Sequence, residues 1–187
     1  MPETVVQHLS REQLEAGLDH ILHSPRDLGT LELISRRPKT NVREVIEEGE
    51  LSVELGLVGD NWLTRGSSKT PDGSAHPEMQ LNIMNSRVIG LVAQDRSQWP
   101  LAGDQLFVDF DLSEENIPAG TQLQLGEAII EVTAIPHMGC KKFVERFGLP
   151  AMQFVNSATG KNLHLRGINA RVVSGGKIKL GDTIRKI

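Results

Sequence analysis

The sequence predicts a mainly β, α+β fold in which short strands form a closed or nearly closed β-barrel with peripheral short helices. Three observations support this prediction. The chain has 187 residues, a length that suits one domain with a substantial core. Its C-terminal half consists largely of short alternating or β-branched runs bounded by glycine, and few segments have helical periodicity. Two of these runs, TQLQLGEAII and GKIKLGDTI, also share one pattern, an alternating strand followed by Leu-Gly-acid and a β-branched residue.

A helix is predicted near the N-terminus. Ser10 can cap it, and Gln13 follows as the capping-box partner. Pro25 comes after the predicted end of the helix. We therefore expect an N-terminal helical extension over residues 1–27, followed by a barrel domain over residues 28–187. The apolar residues on one face of the helix are Leu14, Leu18, Ile21 and Leu22.

Short strands and turns follow this helix. Residues 30–35 alternate as a strand does, 41–50 are predicted as a short helix or a turn, and 51–60 as a strand broken by glycine. The polar stretch 66–77 is predicted as a loop, and 78–95 as a strand that runs into a helix.

The C-terminal half carries most of the predicted strands. Phe143 and Phe147 stand at helical spacing, which predicts a short helix over 141–147 that Gly148 and Pro150 close. The strands are predicted over 104–110, 121–135, 162–167, 168–173 and 177–187.

Composition and charge argue against several classes of protein. The chain has 20 Lys and Arg against 24 Asp and Glu, a net charge of −4, whereas a general nucleic-acid binder usually shows a basic excess. The first residues lack the pattern of a secretory signal, and no apolar run is long enough to cross a bilayer. The single cysteine cannot form an internal disulfide. We expect a cytoplasmic protein with no nucleic-acid or membrane partner.

The single cysteine, Cys140, lies in the stretch IPHMGCKKF among groups that favour a thiolate. His137 precedes it, Lys141 and Lys142 follow it, and the thiol stands at the start of the predicted helix 141–147. Cations and a helix N-terminus stabilise a thiolate, which is the reactive and metal-binding form of cysteine. A buried, inert cysteine usually has apolar flanks instead. The pattern therefore favours a functional role for Cys140 over core packing.

Three kinds of chemistry are compatible with this pattern. A Cys–His hydrolase would use His137 or another histidine as base, although no nucleophile-elbow pattern is present. A zinc site needs three or four ligands, and the His-x-x-Cys spacing of His137 and Cys140 supplies two. A soft metal or a sulfur atom needs only the one thiolate if the rest of the ligand is held elsewhere. The residues alone do not choose among the three.

Other polar residues are weaker candidates. Arg36 belongs to the basic cluster RRPK, which most simply forms a solvated turn, and His76 is either a loop ligand or a surface histidine. Asn85 and Arg87 can cap a helix instead of binding a ligand. Arg166 lies in a predicted strand, where an inward arginine needs an anionic partner. Three aspartates in Gly-Asp pairs are interpreted as turn residues: Asp60, Asp104 and Asp182.

Four longer segments resemble the MOSC family, the relatives of the C-terminal domain of molybdenum cofactor sulfurases. The segments are GLVGDNWLTRG, LNIMNSRVIGLVA, LAGDQLFVDFDLSEENIPAGTQLQLGEAIIEVTAIPHMGCKKF and HLRGINARVVSGGKIKLGDTI, and the similarity extends in order over roughly residues 28–187. The resemblance implies a barrel like the small barrel domain of pyruvate kinase. Its specificity comes from a combination of short motifs: Gly103-Asp104, Pro118-x-Gly120, Leu125-Gly126, Pro136 with Cys140, Arg166-Gly167 and Gly181-Asp182.

The resemblance also implies a cofactor, the molybdenum cofactor (molybdopterin). Cys140 matches the family cysteine, which in members studied as enzymes ligates molybdenum through sulfur, while basic and polar side chains hold the pterin and its phosphate. We expect Cys140 to be the catalytic residue and the molybdenum ligand. The sequence departs from the family pattern next to Cys140. Many members have an arginine and a proline just before the cysteine, whereas this chain has PHMGC. The candidates for contact with the cofactor are Arg36, His76, Asn85, Arg87, His137, Lys141, Lys142 and Arg166.

Two reactions follow from the resemblance. Enzymatic members reduce N-hydroxylated compounds alongside an electron-transfer protein, whereas in sulfurases the domain passes sulfur, as a persulfide, from a pyridoxal-phosphate cysteine desulfurase to the cofactor. This chain has no room for a desulfurase domain and no ferredoxin-like set of cysteines. We therefore expect no pyridoxal phosphate in the chain itself, and a separate desulfurase or electron-transfer protein as partner. The alternatives are a non-catalytic module that carries a small anion and a cysteine-dependent hydrolase.

Overall fold

Seven strands close into a β-barrel in the computed structural model, which describes residues 7–187. Around the ring lie β1 (Leu28–Arg36), β11 (Thr183–Lys186), β7 (Gln122–Leu125), β8 (Ala128–Val132), β9 (Ile168–Ser174), β5 (Leu81–Asn85) and β6 (Leu106–Asp109). β6 pairs with β1 again and closes the ring. The barrel is mixed, because β5 and β6 pair in parallel and the other neighbours pair antiparallel. The predicted fold class is confirmed.

The longest strand, β1, extends beyond the barrel. Its first residues pair with β11, while its last residues pair with β2 (Glu44–Ile46). A separate three-stranded sheet consists of β10 (Gly176–Lys179), β3 (Glu48–Ser52) and β4 (Gly56–Leu57). β1 ends at Arg36, so the next residue, Arg37, begins the connection at this end of the barrel.

The prediction of a short helix or a turn over 41–50 is wrong. This segment contains β2 and begins β3, which pair with β1 and β10, strands that are distant in sequence. Because such pairing is decided by the partner strand, it overrides the weak local preference of NVREVIEEGE. The following 51–60 segment folds back as β4 after a turn, in agreement with a strand broken by glycine.

The N-terminal helix is divided in two. The predicted capping box is present, since Ser10 accepts a hydrogen bond from the backbone of Gln13 and the Gln13 side chain accepts one from the backbone of Ser10. The helix breaks at Gly17, between α1 (Arg11–Ala16) and α2 (Leu18–Leu22). A Cβ at position 17 would lie only 2.6 Å from the methyl groups of Leu91, so glycine permits this close approach to the barrel domain.

Five further α-helices surround the barrel in the part of the chain that the structure describes. β5 passes directly into α4 (Ser86–Ala93), as predicted for 78–95, and α5 (Lys141–Phe147) also lies where a helix is predicted. α3, α6 and α7 were not predicted. None of the helices within residues 7–187 has the length and apolar character to cross a membrane. The bounds of the unpredicted helices are Trp62–Arg65 (α3), Leu149–Asn156 (α6) and Ala158–Asn162 (α7).

The strand predicted over 162–167 is also wrong. α7 ends there, and a turn with the backbone of His164 at φ +50° and of Gly167 at φ +118° follows. Both values are incompatible with an extended strand, which requires negative φ. The turn carries Arg166, which is buried, into the end of the barrel where β9 begins.

The core has two apolar layers. One fills the barrel interior, and the other lies between the barrel wall and the helices. Phe107 on β6 belongs to the outer layer, where it meets Met84, Val88 and Trp99. Phe143 and Phe147 of α5 belong to the same layer, so α5 is fixed to the barrel by its buried aromatic face.

Candidate cofactor site

Cys140 is exposed, and it stands immediately before the first turn of α5. Within residues 7–187 its thiol has no hydrogen-bond partner. The preceding residue is held firmly, because the Asn156 side chain accepts from the backbone N–H of Gly139 at 2.9 Å and donates to its carbonyl at 3.0 Å. A Cβ on Gly139 would press against Met152 and Val155 at 3.2 Å. The segment is therefore fixed on α6 while the sulfur faces outward.

Lys141 and Lys142 continue the chain from the thiol. Both are exposed, and neither forms an ion pair within the described residues. Their charges therefore remain available beside Cys140, as the sequence predicts. They stand on the first turn of a helix that is anchored by Phe143 and Phe147.

His137 belongs to a buried charge cluster with Asp104 and Arg166, which we call the Asp104 cluster. The His137 Nε2 lies 3.1 Å from one oxygen of Asp104, and the Arg166 Nη1 donates to the other oxygen at 2.7 Å. The Asp104 side chain is completely buried. Arg166 thus has the anionic partner that an inward arginine requires, although that partner was interpreted as a turn residue.

The Asp104 cluster consists of one anion, one cation and a neutral imidazole. Burial by itself would raise the pKa of Asp104, but the charge of Arg166 and the contact with His137 outweigh it and hold this pKa below its ordinary value. Burial and the positive charge of Arg166 lower the pKa of His137, against the opposite effect of Asp104. At neutral pH the imidazole is therefore uncharged, and it donates its Nε2 proton to the Asp104 carboxylate.

Arg166 is packed tightly in this position. Its guanidinium lies 5.1 Å from the ring centroid of Phe143, a cation–π contact that ties the cluster to α5. Its Nη2 donates to the carbonyl of Ala102. Its Nε–H is buried and has no hydrogen-bond partner within residues 7–187. Buried donors without a partner are rare in folded proteins.

The segment before Asp104 is surrounded by arginines. Four consecutive backbone carbonyls, from Pro100 to Gly103, each accept a hydrogen bond from a different guanidinium. These arginines come from three separate parts of the chain, because Arg37 and Arg43 share the connection between β1 and β2. Tertiary structure brings the three parts together. The pairs are Arg43 with Pro100 at 3.2 Å, Arg146 with Leu101 at 2.6 Å, Arg166 with Ala102 at 2.8 Å and Arg37 with Gly103 at 3.1 Å.

We define the arginine group as Arg37, Arg43, Arg65 and Arg146. Asp60 lies among them, and it forms a buried ion pair with Arg37 at 2.8 Å. The other three form no ion pair within the described part of the chain. Their positive charges are thus not balanced by carboxylates.

Burial and neighbouring positive charge lower the pKa values of two of these arginines. Burial, followed by the charges of Arg146 and Arg37, lowers the pKa of Arg43. Burial and the charge of Arg37 lower the pKa of Arg65, and Asp60 opposes both shifts. Arginine stays charged in proteins because its pKa is so high. The group is therefore an electropositive site that an anion would stabilise.

Buried amides connect the arginine group to the segment that carries Cys140. The Nη1 of Arg37 lies 3.5 Å from the Oδ1 of Asn82, and the Nδ2 of Asn82 donates to the Oδ1 of Asn169 at 2.6 Å. The Nδ2 of Asn169 donates in turn to the carbonyl of Ile135 at 3.0 Å. This chain of hydrogen bonds fixes the position of the 133–140 segment relative to the arginines.

Four predicted contact residues have other partners. Arg36 forms a bidentate ion pair with Glu44 at 2.7 and 2.9 Å, and His76 caps the short turn 77–79. Asn85 caps α4, and Arg87 pairs with Asp109 at 2.8 Å. None of the four contacts the Asp104 cluster within residues 7–187.

Several residues of the site were not identified from the sequence. Arg37 was hidden beside Arg36 in RRPK, and the interpretation of Asp60 and Asp104 as plain turn residues missed their buried ion pairs. The Gly-Asp pattern was a weak signal, because Asp182 shares it and forms no ion pair within residues 7–187. Arg43 and Arg146 carry no comparable local signal.

The alternative site chemistries are not preformed. Cys140 forms no hydrogen bond with a histidine within residues 7–187, so a Cys–His pair is not assembled. The described residues also contain no group of three or more His, Cys, Asp or Glu side chains that could hold a metal ion.

Comparison with known proteins agrees with the fold and the sequence motifs. Three solved structures superpose on most of the chain. YiiM from Geobacillus stearothermophilus is 14% identical, with a TM-score of 0.58 over 85% of this chain and 75% of that one. YuaD from Bacillus subtilis is 16% identical, with a TM-score of 0.56 over 84% of this chain and 94% of that one. YiiM from Escherichia coli is 20% identical, with a TM-score of 0.53 over 84% of this chain and 69% of that one.

These similarities establish the barrel fold, and the family follows from the sequence. None of the curated proteins matches this chain. The family model described as the MOSC domain matches residues 72–185, more than half of the chain, and its range includes the Asp104 cluster and Cys140. The chain therefore belongs to the MOSC domain family.

Proposed function

We propose that this MOSC protein binds molybdenum cofactor, with the Cys140 thiolate as the molybdenum ligand and the arginine group as the site for the anionic phosphate of the pterin. The observation that carries the proposal is the convergence of four guanidinium groups on four consecutive carbonyls. Only two of the four, Arg37 and Arg166, pair with carboxylates within residues 7–187, so Arg43 and Arg146 carry unbalanced charge. Guanidinium groups bind phosphate through paired hydrogen bonds, so this surplus of arginine suits a phosphate.

The space around Gly103 fits this role. A Cβ at this residue would lie 3.8 Å from Nη2 of Arg43 and 3.9 Å from Nη1 of Arg146. Because Gly103 has no side chain, its backbone stays accessible between the guanidinium groups of Arg43 and Arg146. Gly103 also has φ +90°, a conformation that other residues rarely adopt.

The chemistry of the donor set fits a soft metal as well. Cys140 offers a thiolate that is exposed and fixed at its backbone, and the charges of Lys141 and Lys142 favour the ionised sulfur. When bound, molybdenum would supply the capacity to exchange two electrons with a substrate. The residues of this chain would hold and orient the cofactor.

For the reaction we propose the reduction of N-hydroxylated compounds, with electrons from a separate protein. Such a compound, R–NHOH, takes up two electrons and two protons to give R–NH2 and water. Transfer of sulfur through a Cys140 persulfide, with a separate desulfurase, is the other reaction that this thiol would support. The arginine group would serve both, since it binds the cofactor rather than the substrate.

The decisive experiment measures molybdenum by elemental analysis and pterin by fluorescence in protein from a molybdenum-replete host. We expect both in the wild-type protein, a loss of molybdenum in Cys140→Ser, and a loss of both in the double variant Arg43→Ala with Arg146→Ala. Arg185→Ala is the matched control, because this exposed arginine contacts Gln124 on the barrel wall. Absence of molybdenum and pterin from the wild type, also after reconstitution, would overturn the proposal. Binding of a small anion with full affinity by Cys140→Ser would instead favour the non-catalytic carrier.

A further inference from the structure

A cavity of about 580 Å³ lies beside the Asp104 cluster and is lined in part by the segment that leads to Cys140. Its walls come from residues 132–138, from α7 and from the turn 164–169, and Val155 of α6 closes one side. Sites for small organic ligands typically have volumes of about 300–1,000 Å³. We call this space the apolar cavity, because most of its wall consists of side chains such as Val132, Ile135, Pro136 and Ile168.

Two polar side chains on the wall are fully engaged within the protein. The Thr133 hydroxyl donates to the carbonyl of Glu78 at 2.6 Å. The Asn169 amide donates to Ile135 and accepts from Asn82. These groups shape the cavity but have little capacity left for a ligand.

Three other polar groups on the wall have free capacity. Nδ1 of His137 is left as an acceptor, because the neutral ring uses its Nε2 proton on Asp104. Arg166 lines the cavity, and its Nε–H has no partner within residues 7–187. Lys161, at the end of α7, is exposed and forms no ion pair with the described residues.

The charge of the lining is unbalanced. Its one carboxylate, Glu114, lies 3.4 Å from His164. The ammonium group of Lys161 thus has no ion-pair partner within residues 7–187. The backbone of His164 is left-handed, at φ +50°, and such strain in a non-glycine residue often occurs at ligand sites.

We propose that the apolar cavity binds a largely apolar small molecule that carries one carboxylate, with Lys161 as its counter-ion. This site is separate from the arginine group, and the wall that forms it continues through His137 to Cys140. An organic ligand in the cavity would therefore lie next to the thiol segment without occupying the phosphate site. The inference goes beyond the proposed cofactor and does not require it.

The test uses 2-naphthoate as the probe, and its uncharged analogue 2-naphthamide, in titration calorimetry with the purified full-length protein. Ala134 and Ala119 line the cavity but are exposed, so tryptophan at either position can fill it without entering the core. We expect Ala134→Trp and Ala119→Trp each to weaken 2-naphthoate binding at least about tenfold. Ala158→Trp is the matched control, since Ala158 is exposed at the start of α7 and lies outside the lining.

The charge is tested separately. Lys161→Ala should weaken 2-naphthoate by about two- to fivefold, the effect expected for a partly exposed ion pair, and should leave 2-naphthamide unchanged. Absence of saturable 2-naphthoate binding at millimolar concentration, or wild-type affinity in both tryptophan variants, would overturn the cavity as a site. Equal affinity for the two probes would overturn the choice of a carboxylate.

Failure of this inference is distinguishable from failure of the cofactor proposal. Cys140→Ser should lose molybdenum yet keep 2-naphthoate affinity within about twofold, because the thiol is not part of the cavity lining. Thermal unfolding of each variant in the absence of ligand shows whether it has folded. A protein that binds 2-naphthoate but contains neither molybdenum nor pterin would support the cavity and contradict the cofactor.

Discussion

Two groups of charged side chains border the segment from Pro100 to Asp104, and they differ in how their charge is balanced. The Asp104 cluster balances its buried arginine with a buried carboxylate at 2.7 Å. The arginine group has one such pair, Arg37 with Asp60, while Arg43, Arg65 and Arg146 form none within residues 7–187. A balanced buried pair mainly specifies structure, whereas unbalanced charge on an accessible surface indicates a ligand.

The two groups also differ in how much stability the fold loses when one charged residue is removed. Removal of one member of a buried pair leaves the other charge buried without a partner, which destabilises the fold strongly. Removal of an arginine that has no partner relieves repulsion among its neighbours and costs only its own hydrogen bonds.

Asp104→Asn should reduce the free energy of unfolding by about 3–5 kcal/mol, because the Arg166 charge then stays buried without its carboxylate. Urea unfolding at pH 7 measures the effect. Asp182→Asn is the matched control, since Asp182 also follows a glycine but accepts only a turn hydrogen bond from the backbone of Lys179. A loss for Asp104→Asn no larger than that for Asp182→Asn would show that the cluster is not a structural pair.

Arg43→Ala and Arg146→Ala should weaken cofactor binding but change the stability of the fold little. We expect each to weaken retention of the pterin by about ten- to a hundredfold, the effect of losing one charge-assisted hydrogen bond. The free energy of unfolding of the ligand-free protein should change by less than about 1 kcal/mol, because repulsion among the arginines is relieved at the same time. Strong destabilisation with unchanged pterin retention would assign these arginines to the fold instead.

His137 makes the stability of the Asp104 cluster depend on pH. The folded-state pKa of His137 lies below its ordinary value of 6.5, so the unfolded chain binds more protons between these two values. The stability that depends on a neutral His137 is therefore fully present above pH 6.5. It is lost as the pH falls from 6.5 through the lower folded-state pKa of His137. The lowered pKa of Asp104 acts only at more acidic pH, below its ordinary value of 3.8.

The variant His137→Gln tests this dependence. A glutamine amide keeps a donor for Asp104 but has no charge to gain. Urea unfolding at pH 7 and at about pH 5.5 should show a smaller loss of stability in the variant than in the wild-type protein. If both proteins lose the same stability over this interval, His137 does not couple the cluster to pH.

The smallest effect is expected at Arg36. Its ion pair with Glu44 is exposed, and exposed pairs contribute little to stability. Arg36→Ala should therefore leave urea unfolding close to that of the wild type, whereas Arg37→Ala, at the next position, should be severely destabilising because Asp60 loses its partner. A loss of pterin in Arg36→Ala would extend the arginine group to this residue.

Some features of the protein were determined by its local sequence. The capping box of Ser10 and Gln13, the passage from β5 into α4 and the helix after Cys140 all depend on residues within a few positions of each other. The alternating runs predicted most barrel strands for the same reason. The charged neighbours of Cys140, which lie next to it in the sequence, favoured a functional thiol over core packing, and Cys140 is exposed.

Tertiary structure decided the rest of the site. Residues 41–50 became strands because β1 and β10 pair with them, and the turn at 164–167 replaced a strand. Arg37 and Arg36 are neighbours in sequence, yet one is buried against Asp60 and the other faces Glu44.

The arginine group shows the physical reason most directly. Its members are separated by up to 109 positions in the sequence, from Arg37 to Arg146, and they meet only where the closed barrel brings the ends of its strands together. A sequence pattern reports which residues lie on one helix face or one strand face, because backbone geometry repeats locally. Which charges are buried together depends on strand pairing between distant segments, and that pairing leaves no periodic trace in the sequence.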